Sequence, residues 1–183
     1  MKKIGLILAF CSITAITAHT QKLYTKSGKI SFFSSAPLEN ISAVNRSAVA
    51  LLDPVTGELQ FSVLMKGFEF KKALMQEHFN KNFVESDKYP RAEFKGQLSN
   101  NSLVNYSQDG SYKVNAKGKL TIHGVTRDVV IPGTITVKNG KITAGSVFNV
   151  LLSDYKVTVP KMYIDNISKS IRVTVETSLE PVK

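Results

Sequence analysis

Apolar and polar residues alternate with a period of two along most of this chain, the pattern of strands with one buried face. Leu59, Phe61, Val63 and Met65 alternate with Gln60, Ser62 and Lys66, and only Leu64 breaks the order. Tyr112, Val114, Ala116, Gly118, Leu120 and Ile122 form the cleanest run, every second position being apolar or glycine. Phe148, Val150 and Leu152 repeat the pattern, as do Ile171, Val173 and Val175. Reversals punctuate the runs. Asp53-Pro54-Val55-Thr56-Gly57 separates a strand near residues 47–52 from the Leu59 strand, and Asp109-Gly110 precedes Tyr112. Asn139-Gly140 lies between Ile135/Val137 and Ile142/Ala144, a pair of residues that tolerates φ > 0 and so favours a tight hairpin. His123-Gly124-Val125-Thr126 reads as the turn joining strands over 112–122 and 129–137. These signals predict about eight or nine antiparallel strands.

One segment has a different period. Over residues 71–83, Leu74, Met75, His78, Phe79 and Phe83 fall on one helical stripe, with Lys71, Lys72, Gln76, Glu77, Asn80 and Lys81 elsewhere. Tyr89-Pro90 then blocks continuation, because proline lacks the donor and restricts its predecessor. A weaker helical turn is expected within 161–169, where Ile164 and Ile167 are suitably spaced. Many strands and one short inserted α-helix predict an all-β fold, either a sandwich or a closed antiparallel barrel capped at one end by the helix. Alternation alone does not separate a packed barrel from a hollow one.

The first residues belong to another category. Met1-Lys2-Lys3 followed by the apolar run at 4–16 reads as a signal peptide over residues 1–20, too short to span a bilayer. Cleavage after Thr20 would start the mature domain, 21–183, at Gln21; cleavage after Ala18 is the alternative. Leu8-Ala9-Phe10-Cys11 only loosely resembles a lipidation signal, since bulky Phe10 stands where a small residue is required. Export to a periplasm is the expectation. It removes Cys11, the only cysteine, and with it any thiol chemistry. Loss of Lys2 and Lys3 takes the formal charge from +10 to +8. The remaining lysines are scattered without a long basic run, which argues against nucleic acid as a partner and leaves contact with an anionic membrane surface open.

Catalytic constellations are sparse. Beyond the leader only His78 and His123 remain, no G-x-S-x-G elbow occurs, and Gly145-Ser146-Val147 lies in strand-like sequence. Adjacent Glu77 and His78 diverge by about 100° on a helix and cannot hold one metal together. No metal site or cofactor is expected, and no enzymatic activity. His78 is either a polar handle at a cavity or barrel mouth, or a core histidine bonded to a backbone carbonyl. His123, beside the turn glycine, is expected to tether that turn, with contact to a ligand as the alternative.

Two stretches carry a resemblance. Met75-Gln76-Glu77-His78-Phe79 through Ser86-Asp87-Lys88-Tyr89-Pro90-Arg91-Ala92-Glu93-Phe94 resembles the helix, the K-Y-P and the following strand of the YceI-like family. Gly118-Lys119-Leu120-Thr121-Ile122-His123-Gly124-Val125-Thr126-Arg127 is similar to that family's G-x-L-T-I-x-G-V-T-K/R hairpin. The resemblance implies a lipocalin-like antiparallel β-barrel with an elongated apolar interior, in which some members carry polyisoprenoid-type chains. The chain departs from the family near its start, where Ser27 to Leu38 replaces a Trp-containing strand and an H-S-x-I/V-x-F element, and there is no Trp at all.

The leading expectation is therefore a carrier for a long apolar ligand, an isoprenoid or fatty-acid-like lipid. The candidate contacts are Phe61, Val63, Met65, Phe94, Leu120, Ile122, Phe148 and Val150 on the walls, with Met75, His78 and Phe79 on a helix covering one end. The alternative is a solid barrel acting as an interaction or structural module that docks a membrane or redox partner; a hydrolase has the least support. Oligomeric state is not legible at this level.

Overall fold

The computed structural model describes residues 21–182. The expected leader, its cleavage points and Cys11 lie outside them. Nine strands form in chain order: β1 Leu23–Ser35, β2 Asn40–Leu52, β3 Glu58–Leu64, β4 Glu69–Phe70, β5 Arg91–Leu98, β6 Gly110–Ile122, β7 Val125–Lys138, β8 Lys141–Leu151 and β9 Ser170–Pro181. Every pairing is antiparallel. The sheet runs β1-β9-β8-β7-β6-β5-β3-β2, and β1 pairs back to β2, so eight strands close into a barrel while two-residue β4 adds to the rim of β2. Closure gives each of the eight long strands a neighbour on both sides, which removes most of the template for edge-to-edge aggregation.

The expected hairpin of β6 and β7 is present, with Leu120 opposite Arg127 and Ile122 opposite Val125. Its turn is tighter than the four residues expected: only His123 and Gly124 lie between the strands, both at positive φ, and β7 begins at Val125. The strand expected near 47–52 starts earlier, at Asn40, because polar Asn45, Arg46 and Ser47 interrupt its alternation without ending its pairing with β1. Met65 leaves β3 for a 3₁₀ turn, Met65–Gly67, yet its side chain stays buried.

The helical segment is shorter and more irregular than its period suggests. Helix α1 spans Ala73–His78 and is followed by a π turn, Phe79–Phe83, in which the Val84 N–H reaches back to the Phe79 carbonyl at 3.0 Å. The wider turn adds a residue and lets both Phe79 and Phe83 face the barrel. Leu74, expected on the buried stripe, is 61% exposed, because the short helix sits over an opening and one side of it has no neighbour. The helical turn expected within 161–169 reduces to a 3₁₀ turn at Lys161–Tyr163, with Ile164 exposed.

The two ends of the barrel differ. At one end, Leu23, Leu52, Leu98, Val104, Ile142 and Leu179 are buried together. The segment between β5 and β6 folds over them: Tyr106 Oη donates to Asn101 Oδ1 at 2.6 Å, and Asn101 Nδ2 to the Pro54 carbonyl at 2.8 Å. Burial, with a smaller contribution from the negative charge of Asp53, pushes the Tyr106 phenol up to about 12. This end is sealed. The other end carries α1, the β1–β2 connection and residues 152–169.

Candidate functional site: an apolar cavity with one sealed end

Inside the barrel lies a cavity of about 450 Å³, within the ~300–1,000 Å³ typical of small-molecule sites. The barrel is therefore hollow, and the solid-barrel expectation does not describe it. All eleven residues singled out from the sequence border this space: Phe61 and Val63 from β3, Met65 just beyond it, Phe94 from β5, Leu120 and Ile122 from β6, Phe148 and Val150 from β8, and Met75, His78 and Phe79 from the α1 region. The period-two rule placed the strand residues, since alternate side chains of each strand point inward.

Phe94 owes its place to glycine. Gly96 and Gly118 face each other across β5 and β6, and a Cβ on Gly96 would stand 2.7 Å from Phe94 Cζ and would clash with the Lys117 carbonyl oxygen. The missing side chains let the Phe94 ring lie along the wall rather than across the lumen.

The open end is built from three segments held by specific contacts. The Leu38 N–H donates to the Asp165 carbonyl at 2.9 Å, the Ser168 N–H to Ser34 Oγ at 2.9 Å, and Lys72 Nζ to Glu39 Oε1 at 2.9 Å. Below α1 is an aromatic cluster. Phe79 stacks on Phe32 with centroids 5.5 Å apart and meets Phe68 and Phe70 at 5.8 and 5.1 Å, so one side chain anchors the helix to the barrel. His78 is half-buried at the mouth, 6.0 Å from the Tyr163 ring, and borders the cavity. Among the described residues no hydrogen bond to a backbone carbonyl fixes it, so the structure places it at the mouth and not in the core. Glu39, Tyr163 and Asn166 complete the polar part of the rim.

His123 tethers as expected, and over a longer reach. Its Nε2 lies 2.8 Å from Glu85 Oε2 and its Nδ1 3.1 Å from the Tyr155 carbonyl, joining the β6–β7 turn to the segments after the π turn and after β8. Tyr89 packs edge-on against its ring at 4.7 Å. Burial raises the Tyr155 phenol above its ordinary value.

Sequence reasoning missed part of the lining. Ile30, Phe32 and Ser34 border the cavity from β1 and do alternate with Lys29, Ser31 and Phe33, a signal that was available. Met162 and Tyr163 had none, because a mouth loop has no period. Among the described residues no group of three or more His, Cys, Asp or Glu is arranged to hold a metal ion.

Comparison with known proteins now decides the family. The YceI-like domain matches residues 12–179. This chain belongs to the YceI-like family. Its barrel is similar to a polyisoprenoid binding domain from Saccharophagus degradans implicated in plant cell wall breakdown, with a TM-score of 0.76 at 13% identity, covering 88% of this chain and 99% of that one. It is also similar to Burkholderia cenocepacia BcnA, with a TM-score of 0.67 at 19% identity over 84% of this chain and 96% of that one. A Campylobacter jejuni YceI protein matches with a TM-score of 0.56 at 18% identity, over all of this chain and 94% of its own. At these identities the YceI-like neighbours establish the shared fold. No curated protein sequence matches the chain.

Proposed function

We propose that this YceI-like protein is an exported, periplasmic carrier that binds a long apolar lipid, of isoprenoid or fatty-acid type, without catalysis. The observation that carries the reading is the cavity itself: walls that are mostly apolar, a sealed end, and a polar rim at the mouth. Each CH₂ transferred from water into such a lumen contributes about 0.8 kcal/mol, so a chain is held without polar contacts along its length. Its polar end would sit at the rim, near His78, Tyr163 and Glu39. The polyisoprenoid binding of the Saccharophagus degradans domain makes an isoprenoid chain the first ligand to try. Exposed Leu38, Leu74 and Met162, with Lys71 and Lys161 beside them, surround the same opening. They suit transient contact with an anionic membrane surface, where an apolar chain would be loaded or delivered.

The test is mass spectrometry of lipid extracted from protein purified from its native compartment, alongside a Leu120→Trp variant. Leu120 is buried on the cavity wall, so an indole there occupies the lumen. Co-purifying lipid in the parent and none in a folded variant is the expected outcome. A parent without lipid that also fails to bind added isoprenoid or fatty acid refutes the carrier reading.

A further inference from the structure

We propose that the gap between β7 and β8 is a second opening of the cavity, through which an apolar chain passes sideways through the barrel wall, and that Pro132 holds it open. This rests on the carrier reading above.

The two turns flanking β7 determine which neighbour each of its backbone N–H groups faces. His123 and Gly124 have φ of +51° and +71°, and Asn139 and Gly140 have +51° and +72°. Two-residue turns of this kind place a hydrogen-bonded pair on either side, here Ile122 with Val125 and Lys138 with Lys141. Hydrogen-bonded pairs alternate along an antiparallel ladder. Odd-numbered residues of β7 therefore direct their N–H to β6, and even-numbered ones to β8. Lys138, Thr136 and Thr134 meet Lys141, Thr143 and Gly145. The next even residue is Pro132, which has no N–H to give.

The ladder stops there. The last β7–β8 pair is Gly133 with Ser146, whereas β6 stays paired with β7 all the way to Val125. Continued pairing would bring the Val147 N–H to the Pro132 carbonyl; that oxygen instead accepts the Ser146 hydroxyl at 2.6 Å. Beyond this bolt, residues 125–132 of β7 and 147–151 of β8 have no pairing with each other. Val130 and Val147, on the outer lips, are 63% and 56% exposed.

Interior space reaches the gap. Ile131 and Pro132 on one lip and Phe148 and Val150 on the other border the cavity, and Pro132 and Val147 border a depression on the outer surface. Towards the mouth, the 3₁₀ turn Leu152–Tyr155, with Tyr155 buried, packs against both strands as a flap. Two bonds hold the flap to the other lip: Arg127 Nε donates to the Asp154 carbonyl at 2.9 Å, and His123 lies on the Tyr155 carbonyl. A slot with apolar lips and a small tethered flap suits a flexible hydrocarbon chain.

The experiment measures uptake and release of a fluorescent sixteen-carbon fatty acid by stopped flow for the parent, Pro132→Val and Arg127→Ala, with amide exchange at Val147 as the report on the wall. Pro132→Val restores the missing donor with a good strand former; Val147 should gain protection, and both rates should fall by about tenfold, the change expected from one or two restored ladder bonds. Equilibrium affinity should change little. Arg127→Ala, which frees one side of the flap, should speed both rates. A Pro132→Val protein with a protected Val147 and unchanged rates overturns the slot as a route, and one with an unprotected Val147 overturns the role of Pro132. If Arg127→Ala leaves the rates unchanged, the flap is no part of the route. A parent that takes up no probe removes the carrier reading itself, an outcome distinct from all of these.

Discussion

Asn45 joins two parts of the barrel that the backbone ladder leaves unconnected, and replacing it gives a sharp test of how the wall is held. Strand β2 changes partner along its length: residues 49–52 pair with β3, while Ala43 and Val44 pair with β4. Between these stretches Asn45 is fully buried, its Nδ2 donating to the Leu64 carbonyl at 3.0 Å and its Oδ1 accepting from the Ser47 N–H at 2.8 Å and the Ser47 hydroxyl at 3.0 Å. Gly67 makes room for it, since a Cβ there would stand 2.6 Å from Nδ2. Asn45→Ala removes three hydrogen bonds at about 1 kcal/mol each and leaves the Leu64 carbonyl and the Ser47 amide to find water, so a loss of about 3–4 kcal/mol is expected. At roughly 2–4 °C per kcal/mol for a domain of this size, the melting temperature should fall by about 10 °C. Urea unfolding gives the free energy directly, with an unchanged m value showing that the native state is otherwise intact. Asn45→Asp adds a sign. It keeps the acceptor for Ser47 but sets a carboxylate against the Leu64 carbonyl. Protonation restores the donor, so its deficit relative to the parent should shrink as pH falls. A cost below about 1 kcal/mol for Asn45→Ala, or a pH-independent deficit for Asn45→Asp, refutes the bridging role.

Three further outcomes follow from geometry already described. Gly96→Ala and Gly118→Ala should each cost about 3 kcal/mol or more in urea unfolding, since the new methyl meets opposing backbone, and Gly96→Ala should also lower the amount of bound lipid by pushing the Phe94 ring into the lumen. Tyr106, neutral in the folded state up to about 12 against 10.0 for an unburied phenol, contributes stability that is intact below pH 10 and is lost as the pH rises towards 12. Phenolate absorbance in the parent and in Tyr106→Phe checks this, the variant lacking the highest-pH step. His123→Ala should destabilise by about 2–3 kcal/mol and raise amide exchange after Leu151, because it releases both Glu85 and the Tyr155 carbonyl; a change confined to the turn would contradict the longer tether.

Legibility from sequence followed the length of the periodic signal. The run from Tyr112 to Ile122 reads as a strand unaided because packing against an apolar lumen requires every inward position to be apolar or absent. The same rule found the wall residues of β3, β5, β6 and β8. It failed at Leu74, where six helical residues carry too little turn for a stripe to be defined and the opening beneath leaves part of the helix uncovered. It also failed to foresee that β2 extends back to Asn40, because Asn45 is buried for its amide and not its hydrophobicity. The mouth was legible only on the helix side. Met162, Tyr163 and Asn166 come to the rim through contacts of their segment with β1 and the β1–β2 connection more than a hundred positions away, and such contacts leave no local pattern. Hollowness could not be read at all, since the same alternation serves a filled interior.

The sealed end has a consequence for which molecules fit. A chain inserted tail-first stops against Leu52, Leu98 and Leu179, so the floor acts as a ruler and its length alone sets how far the other end stands out of the mouth. Strands of about 13 residues at ~3.3 Å each, tilted by ~40°, give a bore roughly 30 Å deep. A chain shorter than the bore draws its head group below the rim and must bury polar atoms there without partners, at a cost of about 1–3 kcal/mol for each. A longer one leaves methylenes in water and forfeits about 0.8 kcal/mol for each. Selectivity by length therefore comes without any residue that recognises an end group, and moving the floor, not the mouth, is what would change the preferred length.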